Sequence, residues 1–257
     1  MKLNQQNIPG IFNDVIGPIM RGPSSSHTAA SWRAAKTCMD ILNEPLKKAI
    51  IDFDKDGAWA SNYREQGTSL GIEGGLLGLE MTDDRMKNTE LVANELGISI
   101  HYEINSFKTN HVNTFRLFLE GINGKNIQVV AISIGGGSFE IQNINGFEVK
   151  ICGDYYELYL FNSSKETDLE ELKSMFPQSK SIVESFNSDR RLINIKFSKE
   201  ISDETIEKLK HILSFDELII AKPVLPIVAG NESELPFTSV ASLLEFAEKE
   251  NLDLGAL

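Results

Sequence analysis

The run from Asp14 to Thr28, DVIGPIMRGPSSSHT, gathers small hydrogen-bonding groups at one point of the chain. Gly22 and Pro23 make a turn. Ser24, Ser25, Ser26, His27 and Thr28 then lead into an apolar pattern of helical period. The first turn of a helix leaves N–H groups without helical acceptors and carries a partial positive charge. Four hydroxyls add donors, and an imidazole can donate when neutral or carry charge when protonated. Together these groups suit a carboxylate or a phosphate. The competing reading makes one serine a helix cap and leaves the others solvated, because serine is a common cap. Residue types alone leave both readings open.

Other reactive groups are sparse. Gly135, Gly136 and Gly137 follow a strand, where backbone could approach a phosphate. The run lacks the spacing of either nucleotide motif and precedes a strand, not a helix. It reads better as a bulge or a close backbone approach. The two cysteines, Cys38 and Cys152, show no CxxC spacing. An iron-sulfur cluster needs several thiolates, so both read as core thiols and no metal ligands are expected in this chain. His101 and His211 read as surface residues, and no catalytic residue is assigned.

These groups need a frame. Trp32, Ala35, Met39 and Leu42 recur at helical spacing over 27–42. A strand is expected at 48–54, then a glycine-rich helix at 69–79, whose glycines imply close packing on another backbone. A helix at 83–95 and strands at 98–104, 114–120 and 128–133 follow, with Asn123-Gly124 as the hairpin signal between the last two. Next come a strand at 155–161, a helix at 168–176, strands at 181–186 and 192–197, a helix at 202–213 with Ser202 as cap, and a strand at 217–222. The order β-α-β-β-α-β is the ferredoxin-like arrangement. A polar linker, AGNESELP, precedes a helix at 239–250 with Val240, Leu243, Leu244 and Ala247 on its apolar stripe. One helix cannot fold alone, so it docks on the rest or on a partner. The expected class is α+β, with domains at 1–147, 148–227 and 228–257.

The 257-residue chain is long enough for its own core, and its net charge of −12 argues against nucleic acid and anionic membranes as partners. Neither a signal peptide nor a membrane span is legible, which makes a cytoplasmic location the expectation.

GPSSSHT after an (I/V)GP turn resembles a segment near the start of iron-sulfur-dependent L-serine dehydratase β-chains and of the single-chain forms. His111-Val112-Asn113-Thr114 is similar to the HPNT segment of that family. Ile134-Gly135-Gly136-Gly137, then Ile141 and Asn145-Gly146-Phe147, is similar to its SIGGG…I…NGF run. The resemblance covers roughly residues 11–151. It implies an effector- or substrate-type domain, shared with some phosphoglycerate dehydrogenases, followed by an ACT-like domain. It implies a small amino acid or hydroxy acid as ligand, held by Ser24, Ser25, Ser26, His27, Thr28, Gln66, Thr68, His111, Asn113, Gly135, Gly136 and Gly137. It further implies a lyase that converts L-serine to pyruvate and ammonia, with a 4Fe-4S cluster on a partner, the cysteine-rich α-chain. The isolated chain would then be inactive. LPFTSVASLLEFAEKENLDLGAL resembles the opening of family α-chains, so the sequence ends where a fused α-domain begins in relatives, or is a piece of a longer chain.

The sequence also departs from the family. Gln66 stands where a histidine is usual and Ser69 where an aspartate is, which removes a carboxylate able to pair an ammonium group, while Arg64 adds a cation nearby. A non-catalytic small-molecule sensor and a dehydratase for another β-hydroxy acid are the alternatives. The turn at 162–167 lacks the glycine that often meets ligand in ACT domains, so a structural or dimerising module is expected there.

Overall fold

The computed structural model describes residues 18–161, 169–188, 190–225 and 239–250. The glycine-free turn at 162–167, the linker at 229–236 and the residues before Pro18 lie outside them. The architecture is α+β, with two sheets. The chain divides into two units, Ile19–Ile227 and Met1–Pro18 with Val228–Leu257.

In the larger unit a π-helical turn, Ser25–Ala29, runs into helix α1, Ala30–Leu42. The helix therefore begins two residues before the expected His27. Asn43 ends it in the left-handed region, its N–H reaching Met39 O at 3.0 Å. Strand β1 (Leu46–Asp54) and helix α2 (Thr68–Leu76) follow. The expected helix at 83–95 is split, because Asp83 accepts the Arg85 N–H at 2.8 Å and starts a 3-10 turn, Asp84–Asn88. Helix α3 begins only at Thr89 and ends at Glu95.

Strands β2 (Ser99–Asn105), β3 (Thr114–Gly121), β4 (Asn126–Gly135), β5 (Ser138–Ile144) and β6 (Phe147–Ile151) complete a six-stranded sheet of order β2-β1-β3-β4-β5-β6. Only β1 and β2 pair in parallel. Periodicity does not delimit β5 and β6. Their hairpin is closed by Asn145 and Gly146, both at positive φ (51° and 87°), as a tight hairpin turn requires. Phe115, Leu117 and Leu119 of β3 alternate into the core with Arg116, Phe118 and Glu120 between them.

Helices α1 and α2 meet at close quarters. A Cβ on Gly75 would collide with Trp32 O and approach Ala35 Cβ at 2.8 Å, and one on Gly71 would collide with Ser31 Oγ and Thr28 O. The glycine-rich stretch is therefore a backbone-on-backbone seam, as its composition implied.

The second sheet is built from β7 (Tyr156–Phe161), helix α4 (Leu169–Met175), β8 (Ser181–Asn187), β9 (Arg190–Phe197), helix α5 (Asp203–Ile212) and β10 (Glu217–Ala221). Its order is β10-β7-β9-β8, antiparallel throughout. Ser202 caps α5 by accepting the Thr205 N–H at 3.3 Å. Leu158, Leu160, Ile193, Ile195 and Phe197 face Leu172, Phe176 and Leu209 of the helical side. Tyr159, Phe161, Leu192, Ile219 and Ala221 face the other way, into the core formed with Cys38, Ile41 and Phe147. The second unit contains helix α6, Val240–Glu250, opened by reciprocal bonds between Ser239 and Ser242 at 2.9 and 3.1 Å. Val240 and Leu244 are exposed and Ala247 is buried. Among the described residues no helix is long and apolar enough to cross a membrane.

Candidate functional site

Three side chains form a triangle at the start of α1. His27 Nδ1 lies 3.0 Å from Ser24 Oγ and 3.3 Å from Ser26 Oγ, and the two hydroxyls are 3.2 Å apart. Ser24 occupies the N-cap position, yet its hydroxyl makes no capping bond and turns to the imidazole instead. Ser25 is exposed. Burial lowers the His27 pKa below its ordinary value, which keeps the ring neutral at pH 7. A hydroxyl that donates to Nδ1 places the ring proton on Nε2, whereas a ring proton on Nδ1 would make Nε2 an acceptor. That nitrogen is buried and has no hydrogen-bond partner.

His27 packs against Trp59 with ring centroids 5.4 Å apart, and Trp59 stacks on Phe115 at 5.1 Å. The Trp59 side chain is buried and its indole N–H finds no acceptor. The loop that carries it is pinned by Ala58 N–H donating to Val112 O at 2.8 Å, which brings in the segment from His111 to Asn113. His111 Nδ1 accepts the Asn113 N–H at 3.1 Å, and Asn113 O accepts the Ser133 N–H at 3.1 Å. Ser133 is fully buried on β4, and its hydroxyl is unpartnered.

From the turn before α1, Thr28 Oγ1 donates to Gln66 O, just ahead of α2, at 3.2 Å. Gly67 (φ 79°) sits so close that an added Cβ would collide with Thr28 Oγ1 and lie 2.9 Å from Pro23 Cδ. Gln66 thus enters through its backbone carbonyl. Thr68 is buried; its carbonyl accepts from Ser31 Oγ at 3.1 Å, while its own hydroxyl has no partner.

Arg33, buried on α1, closes the network. It donates through Nη1 to Gly137 O and through Nη2 to Ile19 O at 2.9 Å. Burial lowers its pKa to about 10, so it remains a cation. Among the described residues it pairs with no carboxylate, and its Nε has no partner. Of the three glycines only Gly137 is approached closely, its would-be Cβ lying 2.6 Å from Arg33 Nη1; Gly135 and Gly136 face open space. All three have positive φ (92°, 60° and 80°), and the β4–β5 register slips between Ser133 and Gly135. The run is a bulged hairpin tip and not a phosphate cradle. Arg64, the cation expected beside the site, is exposed and lies over the Tyr63 and Tyr102 rings at 5.3 and 5.9 Å.

The structure therefore links Ser24, Ser26, His27, Thr28, Gln66 and Thr68 on one side with His111, Asn113 and Gly137 on the other. Of the joining residues, Trp59 and Arg33 carry no motif of their own, whereas Ser133 opens the Ser-Ile-Gly-Gly-Gly run at 133–137. The one legible signal was an arginine between Ala30 and Ala34, where the helix turns its small residues inward. Buried polar groups normally find partners. Here His27 Nε2, Trp59 Nε1, Arg33 Nε and the Thr68 and Ser133 hydroxyls lack them along one connected stretch. Donors predominate, beside a cation that pairs with no carboxylate among the described residues.

The chain is 32% identical over 215 residues to the "L-serine dehydratase, beta chain" of Peptoniphilus asaccharolyticus, spanning 82% of this chain and 96% of that protein. The chain belongs to the L-serine dehydratase β-chain family. A second member, the "Probable L-serine dehydratase, beta chain" of Bacillus subtilis (strain 168), is 34% identical over 152 residues, 59% of this chain and 68% of its own. No protein-family model matches. The β-chain residues do not fit an iron-sulfur cluster. The sequence has two cysteines; Cys38 is buried in the core with its thiol pushed far up by burial, and Cys152 is half-buried. Among the described residues no group of three or more His, Cys, Asp or Glu could hold a metal ion.

Proposed function

We propose that this chain is the β-type subunit of an iron-sulfur-dependent L-serine dehydratase, a complex that converts L-serine to pyruvate and ammonia. The 4Fe-4S cluster lies on a cysteine-rich α-chain, and this chain supplies ligand binding and assembly. The observation that carries the reading is the row of unpartnered buried donors around His27 in a member of the β-chain family. The carboxylate of a small amino acid or hydroxy acid would take the His27 Nε2–H and Trp59 Nε1–H, with the buried Arg33 supplying the balancing charge. The Thr68 and Ser133 hydroxyls would bind the ligand's hydroxyl or ammonium. The Ser24–Ser26 pair holds the ring in the tautomer that donates from Nε2. Half-buried Gly135 and exposed Gly136 leave an approach for solvent and ligand beside Gly137. Residues 148–227 serve as an ACT-like module with a structural or dimerising role, and the exposed Val240 and Leu244 of α6 fit a docking face for the α-chain.

The test is co-expression with the neighbouring cysteine-rich chain, followed by pull-down and a pyruvate assay across several hydroxy amino acids. The isolated chain is expected to be colourless and inactive, and the complex active on L-serine or a near analogue. A stoichiometric cluster in the isolated chain would refute the division of labour. Ligand binding with no complex would favour a sensor, the reading that Gln66 and Ser69 support.

A further inference from the structure

We propose that the open edge of β2 is an interface between two copies of this chain, joined as antiparallel strands centred on Tyr102. The inference is independent of the proposed activity. β2 ends the six-stranded sheet and pairs with β1 alone. Asn105 O accepts the Lys55 N–H at 2.9 Å on the β1 side. Backbone groups alternate sides along a strand, so Ile100, Tyr102 and Ile104 turn their N–H and C=O to the open edge. Such a row is a template for another strand. The usual protections are missing, because Ser99–Asn105 contains neither lysine nor proline and its register with β1 runs without a bulge.

Charge chooses the register. Edge-facing residues must oppose edge-facing residues, which allows antiparallel pairing centred on His101, Tyr102 or Glu103. Centring on Glu103 sets two carboxylates directly opposite, and centring on His101 sets two imidazoles opposite. Centring on Tyr102 sets His101 against the partner's Glu103, and Ile100 against the partner's Ile104, each twice by symmetry. Ile104 is 50% exposed and has no apolar cover in one copy. Beside Ile100 lies a largely polar groove of about 770 Å³, in which Leu91, Ile98 and Ile100 are flanked by Arg64, Lys87 and Glu90, with Leu91 57% exposed. In this register the partner's Ile104 would sit at the Ile100 end of the groove. A seven-residue strand pair with this groove buries a small area, so the dimer is expected to dissociate on dilution.

Sedimentation velocity of the full chain over a concentration series tests this, with hydrogen exchange as the local readout. The wild type should show a monomer–dimer equilibrium, with the Ile100, Tyr102 and Ile104 amides gaining protection as dimer forms. Ile104→Lys and Glu103→Lys change exposed side chains and should each raise the dissociation constant by about tenfold or more. His101→Glu combined with Glu103→Lys swaps the charges and should restore association relative to Glu103→Lys alone. A wild type that stays monomeric throughout overturns the proposal. So does a dimer indifferent to both single variants, or one that leaves the β2 amides unprotected.

Discussion

The polar groups buried under the second sheet and those buried at the start of α1 share a composition but differ in closure. Glu157 on β7 is 1% exposed, yet its Oε2 accepts from Tyr159 Oη at 2.9 Å and Asn194 Nδ2 at 3.0 Å, and its Oε1 lies 3.4 Å from Lys196 Nζ. Lys196 in turn donates to Lys150 O at 2.7 Å. Charge is met by charge, although Glu157 Oε1 makes no hydrogen bond and is held by the ion pair alone. Around His27 the reverse holds. Among the described residues Arg33 is a cation whose oxygen partners are backbone carbonyls, and His27, Trp59, Thr68 and Ser133 each leave one polar atom unused. A buried charge paired within the chain serves the fold, because leaving it unpaired is costly. On the proposed reading, the cation without a carboxylate and the unused polar atoms around His27 mark the place where a ligand completes the network.

The sharpest break of this comparison is Lys196→Met. It strands a buried carboxylate and should cost about 3 kcal/mol of stability, read by denaturant unfolding, while ligand affinity stays unchanged. A mild effect on stability with lost affinity would reverse the assignment of the two clusters.

Much of the frame was legible because it rests on period. The alternation of Ile193, Ile195 and Phe197, the Ser202 cap and the glycine seam of α2 each follow from local chemistry visible in the residues. The triangle of Ser24, Ser26 and His27 was legible as a cluster of types, though the role of Ser24 was not. A side chain that caps and one that holds an imidazole look alike in sequence. Trp59 and Arg33 were illegible as site residues for another reason. They reach the site through the Ala58–Val112 and Arg33–Gly137 contacts, between residues far apart in the chain. The short β5 and β6 were hidden too, since their order comes from pairing in the sheet and not from their own pattern.

Thr68→Val has the opposite signature to Lys196→Met. It keeps the shape and removes a buried hydroxyl without a partner. Stability should rise by about 1 kcal/mol, while affinity for L-serine or a small hydroxy acid falls about tenfold by calorimetry. Loss of stability would mean the hydroxyl is already satisfied, and the site would lose one of its ligand groups.

A smaller effect separates the serines. Ser25 is exposed, whereas Ser24 and Ser26 reach His27 Nδ1. Ser25→Ala should therefore leave affinity within about 0.5 kcal/mol of wild type, as for an ordinary surface change. The Ser24→Ala, Ser26→Ala double variant frees the ring to present the wrong tautomer and should lose about 1 kcal/mol or more of binding. Equal losses from all three serines would argue for a plain helix-start anion site instead of an oriented imidazole.

The two clusters should also pull in opposite directions with pH. Burial lowers the pKa of His27 below its ordinary 6.5 and raises that of Glu157 above its ordinary 4.5. Above pH 6.5 His27 is neutral folded and unfolded alike. As pH falls below that value the unfolded chain takes up the proton first, so its share of stability is lost down to the lowered folded pKa. For Glu157 both states are protonated well below pH 4.5; as pH rises the unfolded chain loses its proton first, and stability falls until the raised folded pKa is passed. His27→Gln should flatten the acid-side loss just below pH 6.5, and Glu157→Gln should gain on wild type as pH rises from 4.5. Thermal unfolding across the acidic-to-neutral range reads both. A bound carboxylate changes only one of them, because an anion at Nε2 favours the charged imidazole and lifts the His27 pKa back toward its free value. Saturating ligand should therefore suppress the His27 slope in wild type and leave the Glu157 slope intact. If ligand shifts both slopes or neither, the open cluster is not where the carboxylate sits.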